Sequence, residues 1–396
     1  KPSPYSLLAT WKLVKLFWKA GVPSSALQFI PCKDEDAPLL TQNPKIDQVI
    51  FTGSAGTADK ILSKRPNLEL SGETSGKNFF IVTDAADKEL AIKQLIDSAF
   101  GYNGQKCSAA SIAILTHDVY NDPKFKRQLK DAVESLPVGA HPSQLNNIIT
   151  PLITHPKKEL LRALTQLEPQ EQWLVQPKEP QMKNLWGPAV KWNVQPGSFT
   201  HLTEFFGPVL GVMKAQDLKQ ACTLANQTEY GLTAGLQSLD DDEIQFFLEN
   251  MKAGNLYVNN KTTGAIVGRQ PFGGIKNSRR GAGGKAGGIN YILQFTKFKD
   301  KGEPIQISEL SSSPIGSLIN FWEKIEWHNE NAEYSNEIQR ALKGATSCQH
   351  QYTNYFSKAQ KLSETQQVIG QENIFRYRKV GKYTIRVHQE DSISDM

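Results

Sequence analysis

The sequence predicts an α/β fold in which parallel strands are joined by crossover helices, followed by a mostly helical C-terminal extension. Short apolar segments alternate with amphipathic, helix-like segments over residues 1–300, and this order is typical of βαβ units. After Lys301 the composition becomes polar and helix-like, with many Asn, Glu, Gln and Ser residues. Because 396 residues exceed one typical domain, we expect at least two domains.

The composition excludes several classes of protein. Hydrophobic residues make up 39% of the chain, charged residues make up 21%, and the apolar runs are too short to cross a bilayer. The net charge is only +5, and the basic clusters at 276–285 and 297–301 lack interleaved aromatic residues. A solvated loop is therefore favoured over nucleic-acid binding, and we expect neither nucleic acid nor membrane to be a direct partner of this segment.

The four cysteines Cys32, Cys107, Cys222 and Cys348 are widely spread, and no C-x-x-C pair occurs. This spacing predicts neither a zinc site nor a disulfide framework, so we expect no metal and a reducing, cytoplasmic location, with peripheral membrane association only through other parts of a full-length protein.

The first elements are a helix and two strands. Apolar residues fall on one face over residues 5–20, and Gly21-Val22-Pro23 ends this helix. Residues 27–31 and 48–52 are predicted to be short strands. The sequence F-T-G-S-A-G-T-A at 51–58 then leads into a helix. Such a turn is either a plain β–α connection or a site where helix N–H groups face a pyrophosphate.

The elements that follow are predicted from the same alternation. An apolar strand begins after Asn78, and Asp87 caps a helix that leads to Cys107. Residues 111–115 form a buried strand, and a polar helix and connection occupy 117–150. The proline-rich stretches at 169–181 and 186–197 predict loops and short strands, and 218–224 predicts a helix.

Two glycine-flanked islands carry the predicted chemistry. Glu73 lies in E-L-S-G-E-T-S-G-K-N, and Cys107 lies in G-Y-N-G-Q-K-C-S-A-A. A thiol is a strong nucleophile, and a carboxylate can activate the water that releases a thioester. The alternative for any lone cysteine is a small buried hydrophobe.

The motifs and their spacing decide between these readings. E-T-S-G-K-N and G-Q-K-C-S-A, with Glu73 and Cys107 34 positions apart, resemble the catalytic pair of the aldehyde dehydrogenase superfamily. The resemblance covers residues 1 to about 300 and implies that family's fold: part of a parallel-sheet NAD-binding domain plus an α/β catalytic domain. It also implies a thiohemiacetal and a thioester on the cysteine, with the glutamate as base.

The same resemblance implies NAD as cofactor and assigns residues to it. F-T-G-S places Gly53 and Ser54 at the cofactor helix, and Lys1-Pro2 is similar to the strand end whose lysine binds the adenosine ribose. E-F-F-G-P-V places Glu204 and Phe206 at the nicotinamide, where the glutamate holds the ribose hydroxyls. The plain alternatives are a frayed terminal Lys1 and a surface Glu204 beside a buried aromatic turn. The ordinary G-x-G-x-x-G fingerprint does not occur, so the family's atypical mode of NAD binding is implied.

A third island resembles one branch of the family, L-glutamate γ-semialdehyde (Δ1-pyrroline-5-carboxylate) dehydrogenase. Residues 254–288 contain P-F-G-G and G-K-A-G-G, and the branch uses the latter loop to bind the α-carboxylate of its aldehyde substrate. Densely spaced N–H groups favour an anion. The implied substrate-binding residues are Ser108, Phe272, Lys285, Ala286 and Gly287. A mobile glycine-rich connection is the alternative.

These patterns predict four segments: 1–75 as the C-terminal part of the NAD-binding domain, 76–275 as the catalytic domain, 276–300 as the substrate loop and an oligomerisation strand, and 301–396 as a helical linker and the start of a further domain. An apolar strand is predicted over 291–295, where family members pair across a dimer; an ordinary edge strand is the alternative.

The last hundred residues extend beyond a simple dehydrogenase. An amphipathic helix is predicted over 315–327 and a strand over 383–391, and G-Q-E-N-I-F-R-Y-R at 370–378 resembles bifunctional proline utilization A. That resemblance implies an upstream proline dehydrogenase domain, which would hold FAD outside this chain. A solvated helical tail is the alternative.

The family's Asn-bearing motif, which completes the oxyanion hole, is missing before Lys1-Pro2. We therefore expect an N-terminally truncated fragment that is nearly inactive when assayed alone. A cysteine acyl-transfer enzyme and a non-catalytic scaffold domain remain as alternative functions.

Overall fold

The computed structural model describes residues 1–140, 146–178, 182–281, 284–288, 290–297, 299, 317, 344, 347, 360–361 and 369–377. The chain divides into two compact units, one made of Lys1–Ala265 and Phe272–Gln294 and the other of Ile266–Pro271 and Phe295–Met396. All the catalytic, cofactor and substrate residues predicted above belong to the first unit.

The helices of the first unit include those that the sequence predicted and several others. They are α1 (Leu7–Lys19), α2 (Ala37–Thr41), α3 (Ala55–Lys64), α4 (Lys88–Phe100), α5 (His117–Asn121), α6 (Pro123–Glu134), α7 (Lys158–Thr165), α8 (Phe199–Leu202), α9 (Leu218–Asn226) and α10 (Asp241–Asn250). The predicted cap of α4 is confirmed, because the Asp87 side chain accepts a hydrogen bond from the Leu90 N–H. Of the helices in the described ranges, none is long and apolar enough to cross a membrane.

The strands of this unit form three sheets. They are β1 (Gln48–Gly53), β2 (Glu69–Thr74), β3 (Asn78–Val82), β4 (Ala110–Leu115), β5 (Gln172–Val175), β6 (Ala189–Trp192), β7 (Val209–Lys214), β8 (Tyr230–Gly231), β9 (Thr233–Gln237), β10 (Asn255–Val258), β11 (Ile275–Lys276) and β12 (Arg279–Arg280). The orders are β1-β2-β12, β10-β9-β3-β4-β7-β6-β5 and β11-β8. The predicted parallel pairing is confirmed for β1 with β2 and from β10 to β6, whereas β5 pairs antiparallel with β6.

The largest sheet is buried on both faces, and this explains the continuous apolar run of β3. Phe80 and Val82 pack into one cluster with residues of α4 and α6. Phe79 and Ile81 point the other way, into a cluster with residues of α9 and α10. Successive side chains of a strand alternate between faces, so a strand between two helical layers is apolar at every position.

Two strand predictions were wrong. Residues 27–31 form no strand, and Gln28, Ile30 and Pro31 are exposed. A strand needs a hydrogen-bonded neighbour, and in the described ranges β1 pairs only with β2. Residues 291–295 form a 3-10 helix, Tyr291–Phe295, whose first turn is closed by the Tyr291 and Leu293 N–H groups donating to Gly288 and Asn290 carbonyls.

The predicted boundary near residue 75 separates two sheets and not two compact units. β1 and β2 belong to the three-stranded sheet, whereas β3 opens the seven-stranded one. In the second unit the described strands are β13 (Gln360–Lys361) and β14 (Ile374–Phe375), which pair antiparallel. The predicted helix over 315–327 and strand over 383–391 lie outside the described residues, apart from Ser317, which is helical.

Candidate active site

The predicted base, the nucleophile and the second glutamate precede three adjacent parallel strands. Glu73 lies shortly before β3, Cys107 before β4 and Glu204 before β7, and these strands are neighbours in the sheet. Because parallel strands begin at the same edge, segments far apart in sequence meet there. The amino edge of the seven-stranded sheet is therefore the candidate site. The chain reaches this edge from β1 by way of α3 and β2.

The loop before Cys107 holds an uncommon backbone conformation. Tyr102, Asn103 and Gly104 have φ angles of 57°, 58° and 66°. For residues other than glycine this conformation costs on the order of 1–3 kcal/mol each and persists only where surrounding contacts enforce it. Here the Asn103 Oδ1 accepts a 2.7 Å hydrogen bond from the Thr150 N–H, and its Nδ2 donates to Thr150 Oγ1 at 3.1 Å.

The buried side-chain amide of Asn78 holds the backbone at Cys107 in place. Asn78 Nδ2 donates to the carbonyl oxygens of Cys107 at 2.7 Å and Ala109 at 2.9 Å, while Asn78 Oδ1 accepts from the Thr233 N–H at 3.0 Å. The next carbonyl, that of Ser108, accepts from the hydroxyls of Thr233 and Thr262. These bonds leave the N–H side of the loop facing the site.

The Cys107 side chain is accessible, yet protein surrounds it closely enough to reduce its solvation. Partial burial raises the pKa of the Cys107 thiol, and the charges of Glu73 and Glu204 raise it further, whereas hydrogen bonds from the Ser108 and Cys107 N–H groups lower it. The thiol is therefore not a permanently ionised nucleophile and needs a nearby proton acceptor.

Glu73 is such an acceptor. Burial raises its pKa to about 7, opposed by a hydrogen bond from the Gly274 N–H at 3.3 Å and by the positive charges of Arg279 and Lys285. Arg279 faces Glu73 directly across the β12–β2 ladder. A carboxyl group that titrates near neutral pH is suited to take and release protons in turnover.

The predicted cofactor residues Ser54 and Glu204 are joined by Ser75. Ser54, at the end of β1 after Gly53, caps α3 by accepting from the Thr57 N–H at 3.2 Å. The Ala55 N–H donates to Ser75 Oγ at 3.3 Å, and Ser75 in turn is hydrogen-bonded to Glu204. The Glu204 carboxylate also accepts from the Gly76 N–H at 2.9 Å. A chain of hydrogen bonds through Ser75 thus links the start of α3 to the Glu204 carboxylate.

Phe206 lies in the same recess as Cys107 and Glu204. Its φ of 53° is uncommon for an aromatic residue, and its side chain is 41% exposed. The recess is lined by backbone and side chains from all three segments: Gly76, Asn78, Gly104, Lys106, Cys107, Ala109, Ala110, Ser111, Glu204, Phe205, Phe206, Gly207 and Val209. Lys1 is ion-paired with Asp34, so its ammonium is already engaged.

Several backbone groups of the loop 284–288 are hydrogen-bonded within the protein. Phe272 and Ala286 exchange two backbone hydrogen bonds of 2.9 and 2.8 Å, and the Gly288 N–H donates to the Lys285 carbonyl. The Ala286 N–H, expected to face a substrate, therefore donates to Phe272. Among the described residues, no hydrogen bond engages the Gly287 N–H. Ser108 lies beside Cys107 and is buried.

Sequence reasoning missed residues that support this site, namely Asn78, Ser75 and Asn103. One signal was present: Asn78 is a polar amide at the start of an otherwise apolar, fully buried strand. A buried amide must find hydrogen-bond partners, so its position foretells a structural role. The others carry no such signal, because their partners are distant in sequence.

Comparisons with known proteins agree with this arrangement. Residues 1–300 match the family model described as the aldehyde dehydrogenase family. A 1-pyrroline-5-carboxylate dehydrogenase of Geobacillus sp. (strain WCH70) is 32% identical over 314 residues, which cover 76% of this chain and 60% of that relative. The chain thus spans about three-fifths of the length of the curated relatives it matches.

Solved structures give the same result. Proline utilization A from Corynebacterium freiburgense has a TM-score of 0.82 and 37% identity, covering 96% of this chain and 37% of that one. A 1-pyrroline-5-carboxylate dehydrogenase from Thermus with bound NAD has a TM-score of 0.66 and 33% identity, covering 73% of this chain and 57% of that one.

Proposed function

Because the chain belongs to the aldehyde dehydrogenase family, we propose that its protein oxidises L-glutamate γ-semialdehyde to L-glutamate with NAD, the second step of proline catabolism. The observation that carries the proposal is the meeting of Cys107 and Glu73 at one sheet edge, with the Cys107 and Ser108 N–H groups beside the sulfur. The relatives named 1-pyrroline-5-carboxylate dehydrogenase support the substrate.

The residues present supply the steps of thiol-dependent oxidation. The Cys107 sulfur attacks the aldehyde carbon, its proton passes to Glu73 and from there to solvent, and the carbonyl oxygen becomes an oxyanion that the Cys107 N–H can stabilise. Loss of hydride from that carbon leaves a thioester on Cys107. Glu73 then takes a proton from water, the hydroxide adds to the thioester, and the carboxylic acid leaves as the thiol is restored.

We assign NAD to the region between the start of α3 and Glu204. When bound, NAD supplies the acceptor for the hydride. Gly53 and Ser54 precede the start of α3, where the positive end of the helix dipole favours a pyrophosphate, and Glu204 would offer a carboxylate to ribose hydroxyls. The exposed ring of Phe206 offers an apolar face beside Cys107. Lys1 would contact the adenosine ribose only if it left Asp34.

The substrate's α-carboxylate is assigned to the other side of Cys107. Ser108 would donate its hydroxyl, and the loop 284–288 would donate from Gly287, with Lys285 and Ala286 shaping the loop. Phe272 would pack on the aliphatic part. The Phe272–Ala286 bridge supports this assignment, because it holds the loop beside the chain segment that also carries Gly273 and Gly274.

The test is NADH formation from L-glutamate γ-semialdehyde by the purified full-length protein. We expect Cys107→Ala to abolish NADH formation and Glu73→Gln to lower its rate by about 10²–10⁴. Ser108→Ala should raise KM for this substrate more than for a simple aldehyde that lacks the carboxylate. NADH production that persists in Cys107→Ala would overturn the proposal.

The setting of the enzyme follows from the same likenesses. We assign 1–75 to NAD binding, 76–275 to catalysis and 276–300 to the substrate loop, with 301–396 as an extension. The resemblance to proline utilization A supports a proline dehydrogenase domain in cis, which would hold FAD. We also propose a dimer. Residues 291–295 support it less than expected, because they form a 3-10 helix and not a strand. The free cysteines Cys32, Cys107 and Cys222 agree with a cytoplasmic location.

A further inference from the structure

The side chain of Lys285 runs inward from the loop 284–288 toward β10. Its Nζ donates to the carbonyl oxygen of Gly254 and, at 3.1 Å, to Asn255 Oδ1. The same Asn255 oxygen accepts from the Gly273 N–H at 3.2 Å. The ammonium is therefore held at a fixed place by two oxygens of one short segment, and it is not directed at a ligand in the recess.

The side chain of Lys285 passes beside Glu73. A Cβ atom placed on Gly273 would be 3.0 Å from Glu73 Oε1 and 3.3 Å from Lys285 Cγ, so the carboxylate and the stem of the lysine flank the same glycine. The Gly273 N–H and the Lys285 ammonium donate to the same Asn255 oxygen, and the Gly274 N–H donates to Glu73 Oε2, so neighbouring backbone groups hold the two charges. Opposite charges attract more strongly where protein excludes water. Glycine at position 273 leaves the space between them free of a side chain.

Few other charges face this pair. Arg279 faces Glu73 across the β12–β2 ladder, while its Nε donates to the Gly281 carbonyl at 3.1 Å. The negative charge of Glu73 also acts on Cys107, where it adds to the burial that raises the pKa of the thiol. Among the described charged groups, Glu73 is the one that acts on Lys285.

We propose that Lys285 is a positioning residue for the base: its fixed ammonium favours the carboxylate form of Glu73 and couples the ionisation of the base to the position of the loop 284–288. The proposal rests on the proposed function, in which Glu73 activates water. The loop assigned to the substrate's carboxylate thus also carries the positive charge that favours the ionised form of Glu73.

The ionisation of both groups near neutral pH agrees with this role. Burial raises the pKa of Glu73 to about 7, and burial lowers the pKa of Lys285 to about 8, each opposed by the partner's charge. If the ammonium is removed, the pKa of Glu73 must rise, so more of the base is protonated at pH 7. Hydrolysis of the thioester then slows at neutral pH and recovers at higher pH, whereas a purely structural defect slows it at every pH.

The direct test is the titration of the Glu73 carboxyl carbon by NMR in protein labelled at glutamate Cδ, with the Glu73 signal assigned from its loss in Glu73→Gln. In Lys285→Met we expect the midpoint to move upward, and by more than in the control variant below, because an opposite charge that favours the carboxylate is lost. Lys285→Arg should stay near the parent midpoint. An unchanged midpoint in Lys285→Met overturns the proposal.

Lys276→Met is the matched control. Lys276 is another lysine of this segment whose Nζ donates to two oxygens, the carbonyls of Asn226 and Thr228 at 3.0 Å each, and it is not among the charges that act on Glu73. Its loss should leave the Glu73 midpoint unchanged, and an equal shift in this control would also overturn the proposal.

If Lys285→Met does not fold, Lys285→Gln decides. Glutamine keeps a polar side chain that can donate to the Gly254 and Asn255 oxygens but carries no charge, so the Glu73 midpoint must still rise. A constant midpoint in Lys285→Gln overturns the proposal. The titration needs no turnover, so it is independent of the NADH assay. A shift without NADH formation would keep the charge pairing and reject the dehydrogenase, and NADH formation without a shift would do the reverse.

Discussion

Gly104→Ala should destabilise the protein by about 2–5 kcal/mol. Gly104 has a φ of +66°, which costs an L-residue about 1–2 kcal/mol. An added Cβ would also lie 2.3 Å from the Gly207 carbonyl oxygen and 2.9 Å from that of Ala99. Both are backbone atoms, so the main chain itself must move, and overpacking of this kind costs about 1–3 kcal/mol.

Gly101→Ala is the matched control in the same loop. Gly101 has a φ of −54°, and nothing lies within 4 Å of its added Cβ. Its replacement should change stability by less than about 0.5 kcal/mol. Urea unfolding of both variants measures the difference, and alkylation of Cys107 reports whether the loop still presents the thiol. If Gly104→Ala unfolds at the same urea concentration as Gly101→Ala, the packing argument is wrong.

Three further predictions concern neighbouring groups. The rate of Cys107 alkylation should rise with pH to a midpoint above that of an ordinary cysteine, and Glu73→Gln should lower this midpoint by removing a like charge. Asn78→Leu should cost about 2–4 kcal/mol in urea unfolding, because it leaves the buried carbonyls of Cys107 and Ala109 and the Thr233 N–H without partners. Burial lowers the pKa of His201 to about 4, so unfolding binds a proton between about pH 6.5 and 4, and stability should fall by up to about 1.4 kcal/mol per pH unit as pH drops; His201→Gln should flatten that slope.

Periodicity and motifs anticipated most of the fold. The apolar runs at 78–82 and 110–115 became central parallel strands, because burial on both faces leaves a strong local pattern. Residues 27–31 are also mostly apolar but form no strand, because a strand needs a neighbouring strand to pair with, and the local sequence does not show whether one is present. Residues 291–295 form a 3-10 helix instead of the predicted strand for the same reason.

The site was predictable to the extent that chemistry follows residue type. Glu73 and Cys107 were named from motifs, and the structure brings them to one edge. The direction of the Lys285 side chain was not predictable, because it depends on Gly254 and Asn255, about thirty positions earlier. A lysine in a glycine-rich loop looks exposed in sequence, and only tertiary contacts turn it inward.

The shared amino edge of β10, β9, β3, β4 and β7 has a consequence for how the protein reaches its working state. The groups gathered there come from residues 73 to 285, so no local segment can form the site early in folding. Closing such long loops is entropically costly, and parallel pairing between distant strands is slow. Recovery of Cys107 reactivity during refolding should therefore lag behind helix formation. Full reactivity of Cys107 would then indicate that the whole sheet has formed.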